Sequence, residues 1–170
     1  MLSKAVWGDK TVLEVGCNIG RNLDQLSLSG IRLVPSAIEI NRDALEFAKS
    51  KHTLSYDWCG PVQEAQLPSS SFELVFTSGV LIHIPPNDLI SVMSKMYTWS
   101  SKYILIAEYF SREPVSIEYQ GRSDTLFKRD FGSVFMDSFS CKIIDYGFLW
   151  GRIYDVAGFD DVTWWLFEKC

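Results

Sequence analysis

An acid and a pair of glycines are spaced along the chain as a nucleotide site would need them. The stretch TVLEVGCNIGRN (residues 11–22) runs from apolar residues into Gly16 and Gly20, and Glu39 ends the next apolar run. Glycine has no Cβ, so backbone N–H groups can approach a ligand, and a following helix adds unpaired N–H groups. A carboxylate at the tip of the neighbouring strand can bind both hydroxyls of a ribose. The spacing favours a ribose-containing cofactor over a ligand-free turn with a solvated acid.

Groups able to move a proton follow two later apolar runs. His83 comes after FELVFTSGVLI and titrates near neutrality, which makes it a candidate general base; a structural role in the IHIPP turn is the alternative. Glu108 and Tyr109 end the run YILIAEY. An acid inside such a run is costly unless it is paired or at the edge of a sheet, so both residues are candidate catalytic groups.

The segment after Tyr109 contains cations and a phenol. Guanidinium groups bind carboxylates and phosphates in a bidentate manner, so a subsite for an acidic acceptor is one interpretation; a solvated loop and helix start is the alternative. The predicted substrate-binding residues are Arg112, Tyr119, Arg122 and Arg129, with Lys128 beside them.

Apolar runs that alternate with helical patterns must position these groups. Strands are predicted at 11–15, 34–40, near 53–58, and at 72–78, 102–110, 141–150 and 162–169, with helices at 21–28, 41–51, 85–99 and near 128–138. This alternation predicts an α/β, Rossmann-like, open and mostly parallel seven-stranded sheet with helices on both faces. The last two strands have no obvious helix between them, so the final strand is predicted to be antiparallel.

Composition narrows the possible partners. The chain has 170 residues with a net charge of −5, which predicts a single domain (residues 1–170) and argues against nucleic acid as a partner. No apolar run is long enough to span a bilayer, and the first residues lack the apolar core of a signal peptide. The four cysteines are scattered and histidines are few, so we expect reduced thiols, no metal and a cytoplasmic location.

The glycine stretch resembles motif I of class I S-adenosylmethionine-dependent methyltransferases, written E/D-x-G-x-G-x-G, with Asn18 in place of the middle glycine. An NAD-dependent oxidoreductase is disfavoured, because G-x-G-x-x-G needs glycine where Arg21 stands. The resemblance implies S-adenosylmethionine as cofactor, with Glu39 on its ribose, an adenine loop near WCGPVQE, and the end of FELVFTSG near the transferred methyl. The predicted cofactor-binding residues are Glu14, Gly16, Cys17, Asn18, Gly20, Asn22, Glu39, Ile40, Gly60, Pro61, Ser78 and Gly79.

A more specific resemblance covers about residues 11–169. The stretches LEVGCNIGRNLDQL, IEIN, SGVLIHIPPNDL, YILIAEYFSREPVSIEYQGRSDTLFKRDF, DYGFLWGR and DDVTWWLFEK are similar to methylases associated with pseudaminic acid biosynthesis. That resemblance implies methylation of a small molecule in nonulosonate or surface-glycan metabolism. Such relatives usually carry a helical segment ahead of the first strand, whereas this sequence reaches its first predicted strand by Thr11. An open site, a naturally minimal version and a shortened chain are the alternatives. A non-catalytic binding or partner subunit is the alternative.

Overall fold

A computed structural model describes residues 10–30, 32–119, 122–154 and 161–170. The strands are β1 (Lys10–Val15), β2 (Leu33–Glu39), β3 (Tyr56–Cys59), β4 (Phe72–Ser78), β5 (Ser100–Glu108), β6 (Val115–Tyr119), β7 (Arg122–Lys128), β8 (Cys141–Leu149) and β9 (Val162–Lys169). The helices are α1 (Arg21–Leu28), α2 (Arg42–Lys51), α3 (Pro86–Trp99), α4 (Phe131–Ser138) and α5 (Gly151–Tyr154), and Leu81–His83 form a 3-10 turn.

The main sheet has seven strands in the order β3-β2-β1-β4-β5-β9-β8. Strands β1 to β5 pair in parallel, whereas β9 lies antiparallel to both β5 and β8. The chain direction across the sheet reverses at β1, whose neighbours are β2 on one side and β4 on the other. The α/β class, the seven strands and the antiparallel final strand are therefore confirmed.

Helices cover both faces of this sheet. Strand β1 alternates between them, because Leu13 and Val15 pack with buried residues of α3 and α4, whereas Val12 packs with Leu23 and Leu26 of α1. A third buried cluster joins the β1–α1 turn and β2 to α2. Successive side chains of a strand point to opposite faces of the sheet and so contribute to two separate apolar layers.

Helix boundaries follow the predicted caps. The Asn41 side chain accepts hydrogen bonds from the backbone N–H groups of Asp43 and Ala44, at 3.0 and 3.2 Å, and so begins α2. Helix α3 begins at Pro86, where proline costs no hydrogen bond.

The segment between β5 and α4 differs from the prediction. It holds an antiparallel hairpin, β6–β7, where the sequence indicated a loop, and α4 begins at Phe131 rather than near 128. Asp130 sets that start, since its carboxylate accepts the N–H of Ser133 at 2.9 Å. Strand β7 packs against the 3-10 turn that follows β4. The hairpin therefore lies beside the carboxyl end of β4, where ligands of such sheets bind.

Two further features concern the described part of the chain. None of its helices is both long and apolar enough to cross a membrane. All four cysteines lie in the described ranges and are free thiols.

Candidate active site

The turn between β1 and α1 forms the first part of the site. Gly16, Asn18 and Gly20 have φ angles of 76°, 49° and 79°, all in the left-handed region. A side chain at Gly16 would overlap Val80 Cγ2, which lies in the connection after β4. Asparagine adopts left-handed backbone more readily than most residues, so Asn18 can stand where the motif has its middle glycine.

Glu39 lies against this turn. Its Oε2 accepts the backbone N–H of Asn18 at 2.7 Å, and its Oε1 accepts that of Asn41 at 2.9 Å. The residue is 8% exposed. Each carboxylate oxygen has two lone pairs, so one acceptor position per oxygen is left for ligand hydroxyls. Glu39 can therefore order the turn and bind a ribose at the same time.

A second acid, Glu14, is wholly buried beside the same turn. Its Oε1 accepts the side-chain N–H of Asn22 at 2.7 Å, and its Oε2 has no hydrogen-bond partner among the described residues. Burial raises the pKa of Glu14 to about 8, opposed by the Asn22 hydrogen bond and reinforced by the charge of Glu39. Burial, with the charges of both acids, also raises the pKa of the Cys17 thiol to about 12, so Cys17 stays protonated.

The predicted adenine loop follows β3. The N–H of Gly60 donates to the Glu39 carbonyl at 3.0 Å, and the Trp58 indole N–H donates to the Pro61 carbonyl at 3.4 Å. Ile40 is 69% exposed on the same rim. An apolar side chain and a loop tied to the end of β2 therefore lie next to the carboxylate of Glu39.

Glu108 holds the connection that follows β4. The residue is wholly buried, and its carboxylate accepts the N–H groups of Val80 and Leu81 at 2.8 Å each and that of Ile82 at 3.3 Å. Burial raises its pKa to about 7, against the lowering effect of these three N–H groups. Ser78 and Gly79 begin this connection, and the Gly79 N–H donates to the Ala107 carbonyl at 2.9 Å.

The remaining predicted groups lie along the same edge. His83 ends the 3-10 turn and is exposed. Tyr109 is half-buried, with the Lys128 ammonium 5.4 Å from its ring centre. Arg112 is exposed in the connection before β6. Tyr119 and Arg122 pair across the hairpin, and their side chains lie outside the described part of the structure.

Two aromatic rings lie beside the side chain of Arg129. Its guanidinium carbon lies 5.9 Å from the Phe127 ring centre and 5.8 Å from that of Phe131. Its Nε is buried and has no hydrogen-bond partner among the described residues. Burial lowers the pKa of this guanidinium. The residue as a whole is only half-buried, and a guanidinium in such a setting can bind an anion.

Neither Val80 nor the backbone N–H of Asn41 was predicted to be part of the site. Val80 lies against Gly16, and the Asn41 N–H donates to the Glu39 carboxylate. Val80 directly follows the predicted residues Ser78 and Gly79, and this position is the signal from which it could have been predicted. No pattern encodes the tertiary contact with Gly16.

The residues present fit S-adenosylmethionine. The unpartnered Oε2 of Glu14 can accept an ammonium hydrogen, and the open acceptor positions of Glu39 can take ribose hydroxyls. Across the described ranges, no cluster of three or more histidine, cysteine, aspartate or glutamate residues could hold a metal ion.

Comparisons with known proteins agree with this geometry. The sequence pattern of a family described as a methyltransferase domain matches residues 12–102, which include most of β1, all of β2 to β4 and the start of β5. No curated protein matches the sequence. The family match spans the glycine turn, both acids and the connection after β4.

Solved structures share the fold at low sequence identity. A SAM-dependent methyltransferase from Methanosarcina mazei has a TM-score of 0.74 at 14% identity, covering 99% of this chain and 96% of that one. Magnesium protoporphyrin IX methyltransferase from Synechocystis, crystallised with SAM, has a TM-score of 0.70 at 13% identity, covering 96% and 71%. The [4+2]-cyclase SpnF has a TM-score of 0.72 at 13% identity, covering 99% and 79%.

Because the fold also supports a cyclase, likeness of fold does not by itself assign the reaction. The family match does, and S-adenosylmethionine is the cofactor that accompanies it. The chain belongs to the methyltransferase domain family and is an S-adenosylmethionine-dependent methyltransferase.

Proposed function

We propose that this enzyme methylates an acidic, carbohydrate-like small molecule at the carboxyl edge of β1, β4 and β5. The observation that carries the proposal is the meeting of Glu14 and Glu39 at one glycine turn, beside the connection that bears His83. The four free thiols favour a cytoplasmic site for the reaction.

Each predicted cofactor residue has a part in this proposal. Glu39 binds the ribose, Glu14 binds the ammonium group, and the left-handed turn brings backbone N–H groups to the ligand. The remaining residues line the cofactor or shape its site: Cys17, Asn22, Ile40, Gly60, Pro61, Ser78 and Gly79.

Bound S-adenosylmethionine supplies an electrophilic methyl group on a positively charged sulfur. The protein aligns the acceptor with that methyl and excludes water. His83 accepts the proton of an acceptor hydroxyl, and Tyr109 lines the same rim. Glu108 is a positioning residue in this account, because its carboxylate is occupied by three backbone N–H groups of the connection that ends in His83.

The character of the acceptor is inferred from Arg129 and from the resemblance to pseudaminic acid-associated methylases. The half-buried guanidinium of Arg129 beside Phe127 and Phe131 supports a carboxylate or phosphate on the acceptor. Arg112, Tyr119 and Arg122 complete the acceptor subsite in this proposal. A nonulosonate or its precursor carries both an acid and several hydroxyls.

The proposal is tested by incubating the enzyme with S-adenosylmethionine labelled in its methyl group and a set of nonulosonates and their precursors. Mass spectrometry of the products should find one labelled acid, and Arg129→Lys should raise the KM for that acid more than it lowers kcat. Label found only on neutral acceptors would overturn the acidic carbohydrate assignment while leaving methyl transfer intact.

A further inference from the structure

A groove lined by aromatic side chains, the aromatic groove, lies beyond the carboxyl end of β5 on the face of the sheet that carries α4. Its volume is about 440 Å³, within the range of small-molecule sites. Four of its lining side chains are aromatic: Phe110, Tyr146, Phe148 and Trp165. Two others, Asp130 and Ser133, are polar and lie at the start of α4.

The sheet positions these rings, and α4 leaves them uncovered. Tyr146 pairs with Trp165 in the β8–β9 ladder, and Phe148 lies two residues further along, so all three side chains project from one face. The indole of Trp165 lies so close to Gly132 of α4 that any Cβ there would overlap it. Trp165 is therefore the buried floor of the groove, whereas Tyr146 is 68% exposed and Phe148 59% exposed. Phe110 lies across from this floor, with 6.3 Å between the two ring centres.

Polar groups border the rings on one side. The Asp130 carboxylate caps α4 by accepting the Ser133 backbone N–H at 2.9 Å and the Ser133 hydroxyl at 2.7 Å. Each of its oxygens still has an acceptor position for an N–H group of a ligand. Thr163 adds a hydroxyl to the same lining. A flat ring with a polar edge matches both the aromatic surfaces and these groups, whereas a hydrocarbon chain matches the rings alone.

The aromatic groove adjoins the proposed acceptor subsite. Tyr109 directly precedes Phe110, and Arg129 directly precedes Asp130, so their Cα atoms are about 3.8 Å apart in each pair. The Ser111 N–H donates to the Arg129 carbonyl at 3.4 Å, which joins the two segments. Guanidinium groups bind phosphates, and aromatic side chains stack on nucleobases. The two features together match the phosphate and the base of a nucleotide.

We propose that the aromatic groove binds the nucleobase of a nucleotide-linked acceptor, whose phosphate lies at Arg129 and whose sugar receives the methyl group. This inference rests on the proposed function, and it identifies the acidic group of the acceptor as a nucleotide phosphate. The base stacks on Tyr146 and Phe148, and an N–H of its edge donates to Asp130. The groove thus selects a sugar by the nucleotide that the sugar carries.

Isothermal titration calorimetry at saturating S-adenosylhomocysteine tests the proposal, because the cofactor site is then filled. The ligands are the four common nucleoside monophosphates, ribose 5-phosphate, which lacks a base, and phenyl phosphate, whose ring has no polar edge. At least one nucleotide should bind about fivefold or more tightly than either of the other two phosphates, as expected from the stacking of one base.

Variants of the two exposed rings locate this difference. Tyr146→Ala and Phe148→Ala should each lower the affinity for that nucleotide about fivefold or more. They should change the affinities for ribose 5-phosphate and S-adenosylhomocysteine by less than about twofold, because neither ligand reaches the groove. Phe47→Ala, at an exposed aromatic residue of α2, is the matched control and should bind as wild type does.

Equal affinities of wild type for the nucleotides and ribose 5-phosphate would overturn the proposal, whether or not the variants fold. Phenyl phosphate that binds as tightly as any nucleotide would overturn it as well, because the groove would then accept any aryl group. So would unchanged nucleotide affinity in both folded variants. Methyl transfer to a free acidic sugar that no nucleotide inhibits would overturn the nucleobase assignment and leave the proposed function standing.

Discussion

Asn18 donates its backbone N–H to Glu39 Oε2 at 2.7 Å, which ties the turn after β1 to the end of β2. The contact requires Asn18 to adopt a φ of 49°, and it leaves Glu39 with acceptor positions to spare. One carboxylate thus organises the turn and remains able to bind a ribose.

Gly16→Ala should destabilise the fold by about 2–4 kcal/mol, because it combines a left-handed φ with an overlap on Val80. Gly30→Ala is the matched control, since Gly30 has a φ of 75° and open space around its Cα. It should cost only about 1 kcal/mol. Urea unfolding measures the free energy of unfolding of both variants. Equal losses of stability would contradict the contribution of the Val80 overlap.

Glu108→Ala should lower the free energy of unfolding on the order of 3 kcal/mol, because three backbone N–H groups lose their acceptor. Affinity for S-adenosylhomocysteine should fall as well, since Val80 packs against Gly16. Glu113→Ala, at an exposed site, is the control. A stable Glu108→Ala protein with unchanged affinity contradicts the positioning role.

The stability of the free enzyme should depend on Glu14 with a definite sign. Its pKa is about 8 in the fold against 4.5 when unpaired and exposed. The folded state therefore holds the proton more tightly, and stability present below pH 4.5 is lost progressively as pH rises to about 8. The loss is on the order of 4 kcal/mol. Urea unfolding from pH 5 to pH 8 should show a shallower decline for Glu14→Gln than for wild type. Parallel plots of stability against pH for the two proteins would show that Glu14 is not the group that binds the proton.

His83→Gln should lower kcat about a hundredfold or more and leave affinity for S-adenosylhomocysteine within about twofold, as expected for a general base outside the cofactor subsite. The measurement is the initial rate with the acceptor found by methyl labelling, as a function of pH. Retention of the wild-type rate and pH profile would show that positioning alone carries the reaction.

Local patterns predicted most of the fold. Strand β1, helix α2 with its Asn41 cap, and helix α3 after its prolines follow directly from apolar spacing and capping residues. The β6–β7 hairpin was not predicted, although β6 (VSIEY) alternates apolar and polar residues, because β7 (RSDTLFK) begins with four polar residues and lacks that alternation.

The site was predictable only in part. Gly16, Gly20 and Glu39 could be found because glycine and a strand-end acid are local signals. The occupation of Glu108 by Val80, Leu81 and Ile82 could not, because backbone N–H groups leave no mark in a sequence. That one oxygen of Glu14 has no partner among the described residues could not be predicted either, because it depends on the position of the Asn22 side chain in the fold.

Glu39 is proposed to bind the ribose while it orders the turn. Calorimetry of S-adenosylhomocysteine binding to Glu39→Ala tests it most directly, with Glu46→Ala as an exposed acid of the same region. Hydrogen bonds to a carboxylate contribute about 1.5–3 kcal/mol each, so the loss of two of them should lower the affinity of Glu39→Ala by at least about a hundredfold, whereas Glu46→Ala should bind as wild type does. A folded Glu39→Ala protein that binds as tightly as wild type would contradict it.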